Sequence, residues 1–318
     1  MSSAPETLST ALQRGGTRGS CFLCGGTDDP IVVSEEGYHG RSCSCGVAYI
    51  DPTPAPGLVN PTEDHHLETY YSLPAKVRLD FISRFQSRGR LLEVGCGTGE
   101  FLALARRCGY QISAVEPNAV AAGVAAAALG IEVEQTLIED SELPRKSFDV
   151  VFHVDLLSHF PDPVRALGKM AELVRSDGVV CFEVGVFGGL AAGWYPWVGR
   201  IGYPQHLWLY SEAAVRTVLE RAGLRVEAVQ RFGLLPATLL STVGNRFLRK
   251  KLSRPSSDTG RAARATGFYR AYGWLQYMLR YQVGKLVPPI GPYAMLVAAR
   301  PLEYEAGTPR IADSRSKS

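Results

Sequence analysis

The sequence predicts an α/β chain built on a doubly wound, mostly parallel sheet. Three observations carry that expectation. Short apolar runs alternate with helical stretches from residue 75 to residue 231. The run Leu91-Leu92-Glu93-Val94 enters three alternate glycines, Gly95, Gly97 and Gly99, and then a helix. A second apolar run, Ile112-Ser113-Ala114-Val115, ends in an acid, Glu116, at about the 20-residue separation at which such folds hold a ribose.

Each element has a local reason. A helix over 75–86 places Val77, Phe81, Ile82 and Phe85 on one face. Strand 90–95 feeds the glycine turn and helix 99–108. Strand 111–116 is followed by Pro117-Asn118, which open an alanine-rich helix, 119–129. A short strand at 131–133, strand 148–154, helix 163–175 and strand 178–184 continue the alternation. Helix 211–222, strand 224–231 and the late strand 293–299 complete it, giving seven strands in all.

The glycine turn holds a nucleotide-like ligand, because residues without a Cβ let the ligand lie on the main chain at a helix N-terminus. A dinucleotide fingerprint needs its third glycine three residues after the second. Here Gly99 follows Gly97 by two, and Glu100 would set a carboxylate beside a pyrophosphate. The spacing therefore disfavours a nicotinamide-dependent oxidoreductase.

At 318 residues, 46% apolar and 20% charged, the chain can bury a full core. A net charge of +3 is too small to argue for nucleic acid as a partner, though its distribution along the chain is uneven. No apolar run approaches the roughly 20 residues needed to cross a bilayer, and Met1-Ser2-Ser3-Ala4-Pro5-Glu6 lacks the basic and apolar regions of a signal peptide, so a cytoplasmic protein is expected. Four of the seven cysteines form two knuckles, Cys21-x-x-Cys24 and Cys43-x-Cys45, each followed by glycine. Pairs spaced this way on tight turns can aim four thiolates at one tetrahedral structural Zn2+; the alternative is four reduced thiols packed in a small core. Ile31-Val32-Val33 and Tyr38-His39-Gly40-Arg41 read as the strands of a zinc ribbon spanning 20–51. Residues 1–19 are expected to form a disordered tail, and 52–67, opening with Pro52-Thr53-Pro54-Ala55-Pro56-Gly57, a stiff linker. Cys96, Cys108 and Cys181 are expected in the core.

A helical insertion, 233–290, separates the last two strands. Between Arg246 and Lys285 it holds ten Lys or Arg and one acid, Asp258, interleaved with aromatics. Two readings stand for it: a basic outer face on helices packed against the main domain, or a surface for a peripheral membrane, RNA, an acidic substrate or self-association. Residues 302–318 are expected to form a polar, disordered tail.

Over residues 20–232 this order of features resembles the class I S-adenosyl-L-methionine-dependent methyltransferases that carry an amino-terminal zinc ribbon, a group including sugar and natural-product C-methyltransferases. The resemblance rests on the cysteine knot, Tyr70-Tyr71, the glycine motif, Phe148-Asp149-Val150-Val151, Ser158-His159-Phe160-Pro161-Asp162-Pro163 and Tyr203-Pro204-Gln205-His206. It implies a seven-stranded Rossmann-like sheet over 68–301 with the last strand antiparallel. It also implies a bound S-adenosyl-L-methionine and a small-molecule acceptor, a sugar nucleotide or secondary metabolite. Glu93 would then face the cationic methionyl end, Gly95, Gly97 and Gly99 the cofactor backbone, Glu116 the ribose hydroxyls, and Glu139 (or its neighbour Asp140) the adenine amine. His206 is the candidate general base, His159 the second candidate, and Tyr203 an orienting group; His65, His66 and His153 lack such support. Trp194, Tyr195, Trp197 and Tyr203 would line the acceptor pocket. Two departures matter. Ser158 stands where the group usually has Glu, and Gln205, which cannot act as a base, stands where sugar C-methyltransferases have Glu. The rival reading is a non-catalytic nucleic-acid or membrane binding module with a vestigial cofactor fold.

Overall fold

The computed structural model describes residues 17–54, 72–195, 201–233, 274–275, 277–289 and 291–302. Its centre is the expected sheet. Strands β4 (Gly89–Val94), β5 (Tyr110–Val115), β6 (Val133–Glu134), β7 (Phe148–Val154) and β8 (Val174–Val186) run parallel in the order β6-β5-β4-β7-β8. β11 (Tyr293–Pro301) inserts antiparallel beside β8 and pairs with β10 (Leu224–Gly233) at the far edge. These seven strands are the Rossmann-like sheet.

The helices start where the sequence offers a cap. Helix α1 (Ser72–Ile82) has Pro74 in its first turn, where a missing N–H costs nothing. α2 (Glu100–Arg107) starts from Gly99 at φ +84° and carries Glu100 at its positive end and Arg106 and Arg107 at its negative end. Asn118 caps α3 (Ala119–Leu129) by accepting from the Ala121 amide, and Gly130 closes it in the left-handed region. Asp162 caps α4 (Pro163–Leu173), and Ser211 caps α5 (Glu212–Arg221).

The sheet is wound on both faces, and β8 shows it by alternation. Val180, Phe182 and Val184 enter one core with α4 and α5, while Val179 and Cys181 enter the other with α1, α2 and α3. Cys96 and Cys181 are core thiols as expected, but Cys108 is exposed because α2 ends at Arg107 and turns outward.

The ribbon departs from the picture of a module on a linker. Its strands β1 (Ile31–Glu35), β2 (Tyr38–Ser42) and β3 (Val47–Asp51) form an antiparallel meander, and β3 pairs with β9 (Trp208–Tyr210). β9 joins the end of β8 through Val186 and Tyr210, beyond the point where β7 stops pairing. The ribbon is thus hydrogen-bonded to the carboxyl end of the sheet. Cys21, Leu23, Tyr38, Val47 and Tyr49 share one core with β8 and α5. A segment of this size cannot bury an adequate core alone, and the larger sheet supplies the missing surface. Thr17 pairs with Thr53 and the Gly19 amide with Asp51, so 17–19 belong to the ribbon rather than to a tail. Residues 1–16, 55–71 and 303–318 lie outside the described residues, as do 234–273 and 276 of the insertion; its expected membrane or self-association surface falls mostly there. Among the described residues no helix is long and apolar enough to cross a membrane.

Candidate active site

At the carboxyl end of β4 the three glycines adopt φ +69°, +52° and +84°, conformations an L side chain rarely takes. Gly95 and Gly99 are also crowded: a Cβ would strike Leu156 at one and Leu129 at the other. Gly97 is different, since a Cβ there would meet nothing within 4 Å. That open space over bare backbone at the start of α2 is where a ligand fits.

Three carboxylates, Glu93, Glu116 and Glu139, lie at or beyond the carboxyl ends of the adjacent parallel strands β4, β5 and β6. Glu116 is held by two amides, Gly97 N–H to Oε2 at 2.8 Å and Asn118 N–H to Oε1 at 2.9 Å, which fixes the carboxylate across the turn and leaves a lone pair on each oxygen. Burial raises its pKa, and those two amides oppose the rise. Glu93 is 5% exposed, and its Oε2 has no partner. Burial pushes its pKa well above the usual carboxylate range despite Arg78 nearby. An unpaired buried carboxylate is costly, and a cationic ligand group is the partner that would relieve it. Glu139 also has an unpartnered buried oxygen, whereas Asp140 points outward to Arg165 at 3.2 Å. Of the two, Glu139 is the one available to an amine. The residues present therefore fit an S-adenosyl-L-methionine-like ligand.

The acceptor side is built from separate segments. His206 follows a turn in which its amide and that of Gln205 bond to the Gly202 carbonyl. Its Nδ1 is bonded to the Ile201 carbonyl oxygen. A carbonyl only accepts, so Nδ1 carries a proton, and in the neutral ring the lone pair is then on Nε2. His159, from the loop after β7, sets its ring 4.5 Å from that of His206. The two loops are tied together, Leu207 N–H to the Ser158 carbonyl at 2.8 Å and the Trp208 indole to the Phe160 carbonyl at 2.8 Å.

Tyr203 does not join them. It is 1% exposed, and its hydroxyl lies against Gly40 in the ribbon, where burial raises its pKa. The turn that presents His206 directs the Tyr203 ring toward the ribbon, where its hydroxyl has no hydrogen-bond partner. Tyr195 is likewise buried, donating to the Phe187 carbonyl at 3.0 Å, while Trp194 packs on Gly291. Trp197 lies outside the described residues, as do His65 and His66. His153 is fully buried and stacked on Phe182 at 4.9 Å.

A buried ionic cluster joins the two sides. Glu183, at the end of β8, accepts from Arg78 Nε at 2.7 Å, from Arg280 at 2.8 Å and from the Tyr281 hydroxyl at 2.7 Å. Burial alone would raise its pKa, but Arg78 and Arg280 outweigh burial and lower it. Next to it Asp155 sits at φ +52°, its pKa raised by burial and by Glu183 and opposed by Arg280, Arg78 and His206. Sequence reasoning missed all five residues. The available signal was a lone acid, Glu183, inside an apolar strand.

In the ribbon the four sulfurs of Cys21, Cys24, Cys43 and Cys45 lie within 4.8 Å of one another. Gly25 and Gly46, at φ +80° and +88°, make the turns that converge them. Four converging thiols are the donor set zinc prefers.

The chain matches the family described as "Methyltransferase domain" over residues 64–229. Among curated proteins it is 36% identical over 119 residues to a ubiquinone biosynthesis O-methyltransferase of Alkalilimnicola ehrlichii, covering 34% of this chain and 47% of that one. It is 29% identical over 169 residues to the protein of that name from Salmonella paratyphi A, covering 51% and 62%. The chain thus spans about half the length of the curated relatives it matches. Among solved structures it resembles Haemonchus contortus phosphoethanolamine N-methyltransferase 2 in complex with S-adenosyl-L-methionine, with a TM-score of 0.50 and 17% identity over 80% of this chain and 62% of that one, a likeness of fold. The glycine cradle, its three carboxylates and the match across half the chain lead to one conclusion: this chain belongs to the methyltransferase-domain family, of the class I S-adenosyl-L-methionine-dependent kind.

Proposed function

We propose that the protein transfers the methyl group of S-adenosyl-L-methionine to an oxygen of a small-molecule acceptor, a sugar nucleotide or secondary metabolite, with His206 as general base. The observation that carries this reading is the Nδ1 contact of His206 with the Ile201 carbonyl, which leaves Nε2 able to accept a proton. Gln205 beside it cannot do so, which favours a hydroxyl acceptor over carbon. The names of the curated relatives point the same way.

When bound, the cofactor supplies a methyl group on a sulfonium, a good leaving group. The chain's own work is to hold, align and deprotonate. The Gly97 backbone and Glu116 hold the ribose side, Glu93 the cationic end and Glu139 the amine. His159 and His206 stand where an acceptor hydroxyl loses its proton. Alignment supplies most of the acceleration in such a two-body step. The four cysteines are proposed to hold a structural zinc.

The test is His206→Ala, assayed over a panel of sugar nucleotides and phenolic metabolites alongside calorimetry with S-adenosylhomocysteine. Turnover should fall about 100- to 10,000-fold while cofactor affinity stays unchanged. A variant as active as the parent would remove His206 from the mechanism.

A further inference from the structure

We propose that the ribbon sets the protonation geometry of the candidate base: Glu35 is a positioning residue that, through the Ile201-Gly202 peptide, holds His206 with its lone pair at Nε2. This rests on the reading of His206 given above.

Glu35 ends β1 and reaches a segment 166 residues further along the chain. Its Oε2 accepts from the Ile201 amide at 2.7 Å, and its Oε1 from the Gly202 amide at 3.1 Å. Two consecutive N–H groups on one carboxylate fix the backbone between them. The Ile201 carbonyl and the Gly202 N–H share one planar peptide unit and point in opposite directions. With the N–H turned to Glu35, the carbonyl is turned to His206, whose Nδ1 it receives. Drawing the N–H toward a carboxylate also polarises that carbonyl into a better acceptor.

Gly202 makes the approach possible. It sits at φ +87°, and a Cβ there would lie 3.2 Å from His206 Nδ1. The ribbon grips the far end of the same turn as well, through the Ile50 amide and the Leu207 carbonyl at 3.1 Å and through the β3–β9 pairing that begins at Trp208. Tyr203, sealed against Gly40, anchors the middle. Glu35, Gly40 and Ile50 of the ribbon thus bracket the turn that carries the half-buried His206 ring.

The experiment is 15N-histidine NMR on the zinc-loaded full chain, with His206→Asn for assignment. In the parent protein, His206 should show a protonated Nδ1 and an unprotonated Nε2. In Glu35→Ala that split should be lost to averaging, with zinc content and S-adenosylhomocysteine affinity unchanged. Glu35→Gln, with one acceptor oxygen for two amides, should give an intermediate split. Ser34→Ala, which removes only the ribbon contact with His39, should match the parent. A parent-like His206 spectrum in Glu35→Ala overturns the proposal. Should Glu35→Ala lose its zinc, hydrogen exchange on the parent decides: the Ile201 and Gly202 amides should be protected about 10- to 100-fold, and free exchange overturns it. The readout is independent of turnover. An active His206→Ala enzyme would remove the base while leaving the clamp standing.

Discussion

The cofactor cradle and the acceptor side differ in how they are assembled. Gly95, Gly97, Gly99, Glu93, Glu116 and Glu139 all lie within one stretch of chain, and its turns are set by local chemistry: left-handed glycines, an Asn118 cap and a carboxylate two residues from the amide it accepts. The acceptor side draws on residues 35, 159, 183, 206 and 280, joined only by tertiary contacts. A cradle built locally can be shared by many enzymes, whereas a site built from distant loops can change acceptor without disturbing it. The helices of the two sides also pack differently: α2 and α3 lie on one face of the sheet and the ribbon and α5 on the other, while Leu92, Val94, Val115 and Ile138, beside the cradle's acids, share the ribbon's core.

Removing a zinc ligand should break the comparison most sharply. Structural zinc in small domains carries about 10–16 kcal/mol of apparent binding energy, so Cys24→Ser should lose the metal and with it the order of β1–β3. The cradle, whose turns are set locally and whose helices α2 and α3 pack on the opposite face of the sheet, should still bind S-adenosylhomocysteine. Zinc analysis and calorimetry on one preparation test both halves. Loss of cofactor affinity together with zinc would show that the two sides form a single unit.

Glu116→Ala probes the other side. It removes the carboxylate that aligns Gly97 and Asn118 and that would take the ribose hydroxyls. Charge-assisted hydrogen bonds of this kind contribute about 1.5–3 kcal/mol each, so affinity for S-adenosylhomocysteine should fall at least about 100-fold with zinc content unchanged. Retained affinity would displace Glu116 from the cofactor site.

The same division explains what could be read before the structure. The seven strands, the glycine turn and Glu116 were legible because each is fixed within a few residues of itself. Helix 119–129 was legible to its ends, since Asn118 and Gly130 cap it. β9 was not, because Trp208–Tyr210 is a strand only by virtue of β3, some 160 residues earlier, and the end of β8. The setting of Tyr203 was not legible for the same reason: a tyrosine three residues before a histidine suggests a shared site, and only the position of Gly40 shows which way its ring turns. Arg78 and Arg280 carried no local sign of their buried partner, Glu183.

His153 offers a smaller effect that reports on the core beneath the acceptor loops. It stacks on Phe182, faces Phe160 edge-on at 5.9 Å, and neither ring nitrogen has a partner. Burial lowers its pKa to about 3. An unfolded chain takes up a proton here near pH 6.5 while the folded chain does not, so the stability is full above pH 6.5 and is lost as pH falls toward 3. At pH 5 the loss from this residue is about 2 kcal/mol. His153→Phe removes the titration, and any change in packing enters equally at every pH. Urea unfolding of both proteins at pH 7.5 and pH 5 isolates the effect, because the carboxylates common to both cancel. The stability difference should shift by about 2 kcal/mol in favour of the variant at pH 5; a difference that does not move with pH would mean that the imidazole gains a proton without leaving the core.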